Sequence, residues 1–325
     1  MNNYTLPNYA MMLADPVRMP AYIKALKSKI QPGMTVLDLG AGTGGLSLLA
    51  CTLGAAKVIA VEPNPAIEVA RLLASENDFS DRIEFHTTEL ESIKTKFKAD
   101  LIVADLRGRL PFFGNNLRLC KLAKDLFLKP SGLLIPNLDR IYLALASAPD
   151  LWLESVKPWS KQDLPFRTKQ FEQSLANYFY PINIDQKLLA SEAALWCTLD
   201  YQNIDQLSFS NTITLTAQSA SVHGFFAWFD CELTQEVSFS CGPGAKNKVY
   251  GSVFFPFESA VETKSGEAIE IKLSANYIED DYIWRWQSSL IHKSGIKTAL
   301  FDQSTFFGLS LSESQLLNYC SKYNS

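Results

Sequence analysis

The amino-acid sequence predicts an α/β domain built on a parallel sheet, followed by an antiparallel β domain. Three observations carry that reading. Up to Pro136, short apolar runs alternate with stretches of helical length. One of these runs leads through a cluster of glycines into a helix-like segment. Beyond Pro136 the chain changes to short aromatic and β-branched runs separated by turn residues.

In chain order, strands are expected at Thr35–Leu39, Lys57–Val61, Arg82–His86, Asp100–Ala104 and Gly132–Ile135. Helices are expected over Gly45–Leu53, Pro65–Glu76 and Asn116–Phe127. Such alternation implies a parallel sheet with helices on both faces, whose ligands sit beyond the carboxyl ends of the strands. The second half reads as strands at Arg140–Ala146, Gln206–Thr216, His223–Thr234, Lys248–Phe257, Ala268–Tyr277 and Tyr282–Ser289. Turn signals such as Cys241-Gly242-Pro243-Gly244 fall between them, as in a sandwich or barrel. Trp159–Asp185 fits neither pattern, and Ser312-Glu313-Ser314-Gln315 is a capping-box signature that predicts a short closing helix. The expected organisation is residues 1–136 as one domain and 137–325 as the other.

Bulk properties exclude several classes. A length of 325 residues suits two domains, and 47% hydrophobic with 20% charged residues is an ordinary globular composition. A net charge of −4 with no basic stripe argues against a nucleic-acid partner. No apolar run reaches the roughly 18 residues of a membrane span. The start, Met1-Asn2-Asn3-Tyr4, lacks a basic region followed by an apolar stretch, so a cytoplasmic protein without a membrane partner is expected. The six cysteines and three histidines show no metal-ligand spacing, and no metal is expected.

The chemistry concentrates at Val36-Leu37-Asp38-Leu39-Gly40-Ala41-Gly42-Thr43-Gly44. Gly40, Gly42 and Gly44 remove the Cβ atoms that would keep a ligand from the backbone where the strand hands over to a helix. A second apolar strand ends in Glu62, at the distance along the chain where a carboxylate takes ribose hydroxyls. Asp38 before the first glycine and Thr43 inside the loop favour S-adenosyl-L-methionine over a dinucleotide.

From these motifs the chain resembles the protein arginine methyltransferases over nearly its whole length. Met12-Leu13-Ala14-Asp15-Pro16-Val17-Arg18 is similar to the family's M-L-x-D-x-x-R segment, with Tyr22 following. Gly132-Leu133-Leu134-Ile135-Pro136 resembles the hinge between the family's domains, Val222-His223-Gly224-Phe225 a signature barrel strand, and Lys264-Ser265-Gly266-Glu267 a K-x-G-E turn. The resemblance implies a class I methyltransferase (Rossmann-like) domain, an antiparallel β-barrel, and a helical dimerisation arm at about 159–185 that makes a homodimer. It further implies that Arg18 grips the cofactor's carboxylate, that Leu90 and Glu91 contact adenine with Glu89 as a close rival, and that Pro136 is cis.

The active-site loop departs from the family. Where the family carries S-E-x-M-G-x-x-L-x-x-E-S, with two glutamates that hold a guanidinium, this chain reads Ala104-Asp105-Leu106-Arg107-Gly108-Arg109 on to Gly114. The first glutamate becomes Asp105, the second becomes Gly114, and two arginines are added. The family's T-H-W loop reads Asn247-Lys248-Val249, so Lys248 stands where a histidine pairs with the acid matched by Asp15. The N-terminal Y-F-x-x-Y element has no counterpart.

A guanidinium facing one carboxylate and two arginines gains little. The expectation is therefore methyl transfer to N or O of a small or peptide-like acceptor with an anionic group. Asp105 would orient or deprotonate it, Arg107 and Arg109 would hold its anion, and Phe112 and Phe113 would wall it. The plainer alternatives are solvated charges at Arg107 and Arg109 and a turn-capping Asp105. Two rival functions stay open: an arginine methyltransferase with a rebuilt site, and a non-catalytic cofactor-binding protein.

Overall fold

The computed structural model describes residues 4–94, 96–218, 220–246 and 249–308. The closing helix expected after Ser312 and the Lys248–Asp15 pair lie outside these residues.

Two helices, α1 (Leu6–Leu13) and α2 (Arg18–Lys29), precede the first sheet. There follow β1 (Thr35–Leu39), α3 (Gly45–Thr52), β2 (Lys57–Val61), α4 (Ile67–Glu76), β3 (Ile83–His86), β4 (Ala99–Ala104), α5 (Asn116–Phe127) and β5 (Leu128–Ile135). The five strands pair in parallel in the order β3-β2-β1-β4-β5. Leu101 to Ala104 in β4 are all buried, which is why a parallel strand covered on both faces reads as an unbroken apolar run. The strand order reverses between β1 and β4, where Leu39 pairs with Ala104. A crevice opens beyond that point, and it brings the Gly40 loop and Asp105 side by side.

The Ile135–Pro136 bond is cis. Beyond it run β6 (Leu138–Ala146), α6 (Pro149–Val156), α7 (Lys169–Leu175), β7 (Tyr180–Ile182), β8 (Ala194–Asp200) and β9 (Phe209–Thr216). They are followed by β10 (Ala220–Thr234), β11 (Val237–Ser240), β12 (Ser252–Thr263), β13 (Ala268–Ile278), β14 (Asp281–Ile291) and β15 (Lys297–Ser304). The barrel expected from sequence is built as two antiparallel sheets. One is ordered β7-β12-β10-β6-β8, with β11 on β10; the other is β15-β14-β13-β9. The core between them is aromatic: Trp196, Trp284, Trp286, Phe225 and Phe255 are fully enclosed. Trp284 touches Trp196, Phe179 and Phe255 with ring centroids 5.7–6.2 Å apart.

Two refinements of the expected elements follow from strand pairing. Strand β12 runs to Thr263 instead of ending near Phe257, because Ala220 to Val222 continue the ladder after a bulge opposite Gly224. The 159–185 segment is only partly helical, since it contains α7 but ends in β7, which pairs with β12. Truncating Trp284 to Ala removes the ring shared by several core partners. It is expected to lower stability by about 3–5 kcal/mol in urea denaturation.

Candidate active site

The glycine turn is shaped for close approach. Gly40 and Gly44 have φ of +76° and +81°, which favours residues without a Cβ. A Cβ on Gly40 would stand 2.3 Å from Leu106 Cδ2, and one on Gly42 2.6 Å from Tyr9 Cε1. Beside the turn lies a cavity of about 340 Å³ bordered by Gly40 to Thr43, Glu62, Glu89, Arg18 and Asp105. The Glu62 carboxylate accepts the Gly42 N–H and the Asn64 N–H, each at 2.9 Å, which locks it at the rim. Burial raises its pKa, opposed by those two N–H groups. A bare turn, an anchored acid and an arginine on one wall fit the adenosyl and carboxylate ends of S-adenosylmethionine.

Asp38 does not border this cavity. It is buried and accepts the Ser47 hydroxyl at 2.6 Å, and burial pushes its pKa up to about 6. It ties β1 to α3 beneath the turn. Gly44 also lies behind the wall, against Ala70. Glu89 borders the cavity, whereas Leu90 is packed in the core and Glu91 turns away to Arg118 at 2.5 Å. Of Glu89 and Glu91, Glu89 is the one that borders the cavity.

Asp105 follows β4 and is nearly enclosed. Its Oδ2 accepts Arg18 Nε at 2.5 Å, and its Oδ1 accepts Arg107 Nη2 at 3.1 Å and Nε at 3.3 Å. The Tyr250 hydroxyl, reaching in from the antiparallel half, also donates to this carboxylate. Burial alone would raise the Asp105 pKa, but Arg18 and Arg107 outweigh it and hold the carboxyl below its ordinary value.

Arg107 is not presented to a ligand. Although its residue borders the cavity, its side chain has no exposure and every nitrogen is engaged within the protein. Nη1 donates to Asp139 Oδ1 at 3.0 Å and to Cys231 Sγ at 2.8 Å; Nη2 also donates to the Tyr22 hydroxyl at 2.7 Å. The guanidinium lies over the rings of Phe229, Phe239 and Tyr250. Asp139 takes the Tyr201 hydroxyl at 2.7 Å, and Tyr201 accepts from Asn116 at 3.2 Å. Two carboxylates and two guanidiniums thus balance each other inside one hydrogen-bonded cluster.

A second cavity of about 320 Å³ adjoins the first and shares Tyr4, Met12, Arg107, Phe113 and Val249 with it, Arg107 through its backbone because its side chain has no exposure. Arg109 stands on its wall, half-buried, with one hydrogen bond to the Tyr250 carbonyl at 3.3 Å and no ion pair among the described residues. Phe113 borders both cavities, but Phe112 does not. It is buried among Trp196, Tyr282 and Trp284, so it anchors the loop to the aromatic core instead of walling an acceptor. Gly114 has φ +46° and its N–H donates to Asp281 at 3.1 Å, outside both cavities.

The sequence reading brought together Arg18, Gly40, Gly42, Glu62, Asp105 and Arg109. It missed Tyr250, Asp139, Tyr4 and Tyr9. The two N-terminal tyrosines border the first cavity from the region where the family's tyrosine element had no counterpart. At position 249 the backbone N–H donates to Asp15 Oδ2 at 3.0 Å.

Both halves of the chain match known proteins. A sequence profile described as ribosomal protein L11 methyltransferase matches residues 21–109, and one described as the arginine methyltransferase oligomerization subdomain matches residues 139–289. The chain is 27% identical over 284 residues to protein arginine N-methyltransferase 1 of Schizosaccharomyces pombe, covering 83% of this chain and 82% of that protein. It is 32% identical over 234 residues to protein arginine N-methyltransferase 6 of Danio rerio, covering 67% and 66%. The fold matches the solved structure of Arabidopsis thaliana protein arginine methyltransferase 10, with TM-score 0.79, 20% identity and coverage of 92% and 97%. It also matches the Trypanosoma brucei PRMT1 enzyme–prozyme heterotetramer with AdoHcy, with TM-score 0.81, 20% identity and coverage of 91% and 96%.

The buried cluster makes a signed prediction. Replacing Arg107 with Met leaves Asp139 uncompensated and is expected to cost about 3–5 kcal/mol. Burial already raises the Asp139 pKa, and Arg107 opposes that rise. Without Arg107 the folded protein holds its proton to higher pH than the unfolded chain, so stability falls as pH rises between the two values. Urea denaturation should therefore show a larger loss at about pH 8 than at about pH 5, and adding Asp139→Asn should recover part of it.

Proposed function

The chain belongs to the protein arginine methyltransferase family of S-adenosylmethionine-dependent enzymes, and on that premise we propose that its acceptor is not an arginine side chain. The acceptor is a small or peptide-like molecule with an anionic group, methylated on N or O. The observation that carries this reading is the closed Asp105 cluster: among the described residues both Asp105 oxygens are taken by protein donors, and the other carboxylates on the cofactor cavity, Glu62 and Glu89, do not border the adjoining second cavity.

S-adenosylmethionine supplies an electrophilic methyl group on a sulfonium, so the protein's task is chiefly to position a nucleophile in line with it. Arg18 is held by Asp105 through Nε, while its Nη2 makes no hydrogen bond among the described residues. That nitrogen is the donor for the cofactor's carboxylate. Glu62 takes the ribose hydroxyls, and Gly40 and Gly42 let the cofactor lie against the backbone. Asp105 acts as the orienting residue for Arg18. Arg109 holds the acceptor's anion, and Arg107 holds the cluster together.

An arginine acceptor is the second reading, favoured by the names of the curated relatives. Incubation with methyl-labelled cofactor, a pool of small metabolites and arginine-rich peptides, followed by hydrolysis, separates the two. Label in small molecules and none in methylarginine is expected; labelled methylarginine would overturn the proposal.

Pairing of two copies through 159–185 belongs to the same proposal. Phe166 and Phe171 are 65% and 57% exposed, Trp159 stacks on Phe171 at 5.0 Å, and the oligomerization-subdomain profile covers this segment. Sedimentation should show a dimer that falls to monomer when Phe166 and Phe171 are both changed to Asp; an unchanged assembly would refute this pairing.

A further inference from the structure

Resting on the reading above, we infer that the acceptor is an apolar carboxylic acid, methylated on its carboxylate oxygen while Arg109 holds the same group in the second cavity.

The first argument concerns protons. An ammonium, alcohol or phenol must lose a proton to become a methylated neutral product, and a protein that uses such an acceptor supplies a base within reach. The carboxylates at the joined cavities are committed elsewhere. Glu62 is bonded to the Gly42 and Asn64 N–H groups, and both Asp105 oxygens are covered by Arg18, Arg107 and Tyr250. Glu89 borders the first cavity with Glu62, close enough to raise the Glu62 pKa, and neither borders the second. The remaining ionisable groups are phenols and guanidiniums, which are poor proton acceptors. Among the described residues, neither cavity is bordered by a His, Cys or Lys. The site suits a nucleophile that carries no proton.

The second argument concerns charge. Arg109 is half-buried on the wall of the second cavity, without an ion pair among the described residues; Tyr4, Met11, Met12, Phe113 and Val249 give that wall its apolar surface, and Asn8 adds a polar side chain. Burial depresses its pKa, which is the mark of a cation whose solvation has not been replaced. A carboxylate supplies that replacement by a charge-assisted, bidentate pair, and an apolar body fits the walls. Its size is bounded by the cavity of about 320 Å³.

A carboxylate meets both demands. One of its oxygen lone pairs forms the bond to the methyl carbon as the carbon–sulfur bond breaks. The bond pair remains on sulfur as a neutral thioether, and the product is a methyl ester, so no proton is released.

Two readouts test this on the full chain. In the presence of S-adenosylhomocysteine, calorimetric titration should show 4-phenylbutyrate and octanoate binding about tenfold tighter than their primary amides, a preference that Arg109→Gln abolishes. With methyl-labelled cofactor and the same acids, alkali should release the transferred label as volatile methanol. Absence of any acid-over-amide preference, or its survival in Arg109→Gln, would overturn the inference. Alkali-stable label in a small molecule would also overturn it, while leaving the non-arginine acceptor standing. Label in methylarginine would overturn both.

Discussion

The guanidinium of Arg107 sits between two buried carboxylates, and the rest of the site is arranged around that contact. Asp105 lies at the end of the parallel sheet, Asp139 near the start of the first antiparallel strand, and Tyr22 on an N-terminal helix. Removing charges from water costs several kcal/mol for each ion, and only close pairing with complete hydrogen bonding offsets it. Each member of the cluster is therefore needed by the others. The same contact joins the two halves of the chain across the cis Pro136 hinge.

That constraint also sets what the site offers a ligand. Asp105 stands beside the cofactor cavity, but its oxygens are occupied by protein donors. Among the described residues, Arg109 is the arginine on the second cavity's wall that has no carboxylate partner. On the proposed reading, this scaffold offers its acceptor the cation of Arg109.

The parallel half was legible in the sequence because its rules are local. A strand buried on both faces reads as an apolar run, and the glycines at 40, 42 and 44 mark a turn that excludes Cβ atoms. In the antiparallel half, β8 and β15 are not legible because burial does not follow polarity: in β8 the apolar Leu195 is exposed beside the buried pair Trp196 and Cys197, and in β15 the buried positions are the polar Gln303 and Ser304. The edge strand β7 has only three residues. The role of Arg107 was not legible at all. An arginine beside Gly108 and a second arginine reads as a loop charge facing solvent or ligand, and nothing nearby announces Asp139 or Tyr250, 32 and 143 residues further on. Phe112 was misassigned for the same reason, since its aromatic partners come from three distant strands. The choice between Glu89 and Glu91 needed the short helical turn at Leu90–Ser92, which points one acid at the cavity and the other at Arg118.

The central claim is that the Arg107 guanidinium is a permanent structural part of this site. Nitrogen-detected NMR of the arginine side chains measures it most directly. Enclosure and bonding at every nitrogen should give Arg107 separate, slowly exchanging Nη signals that do not move when an arginine-containing peptide is added. Rapidly exchanging, averaged signals, or a shift on adding that peptide, would contradict the account.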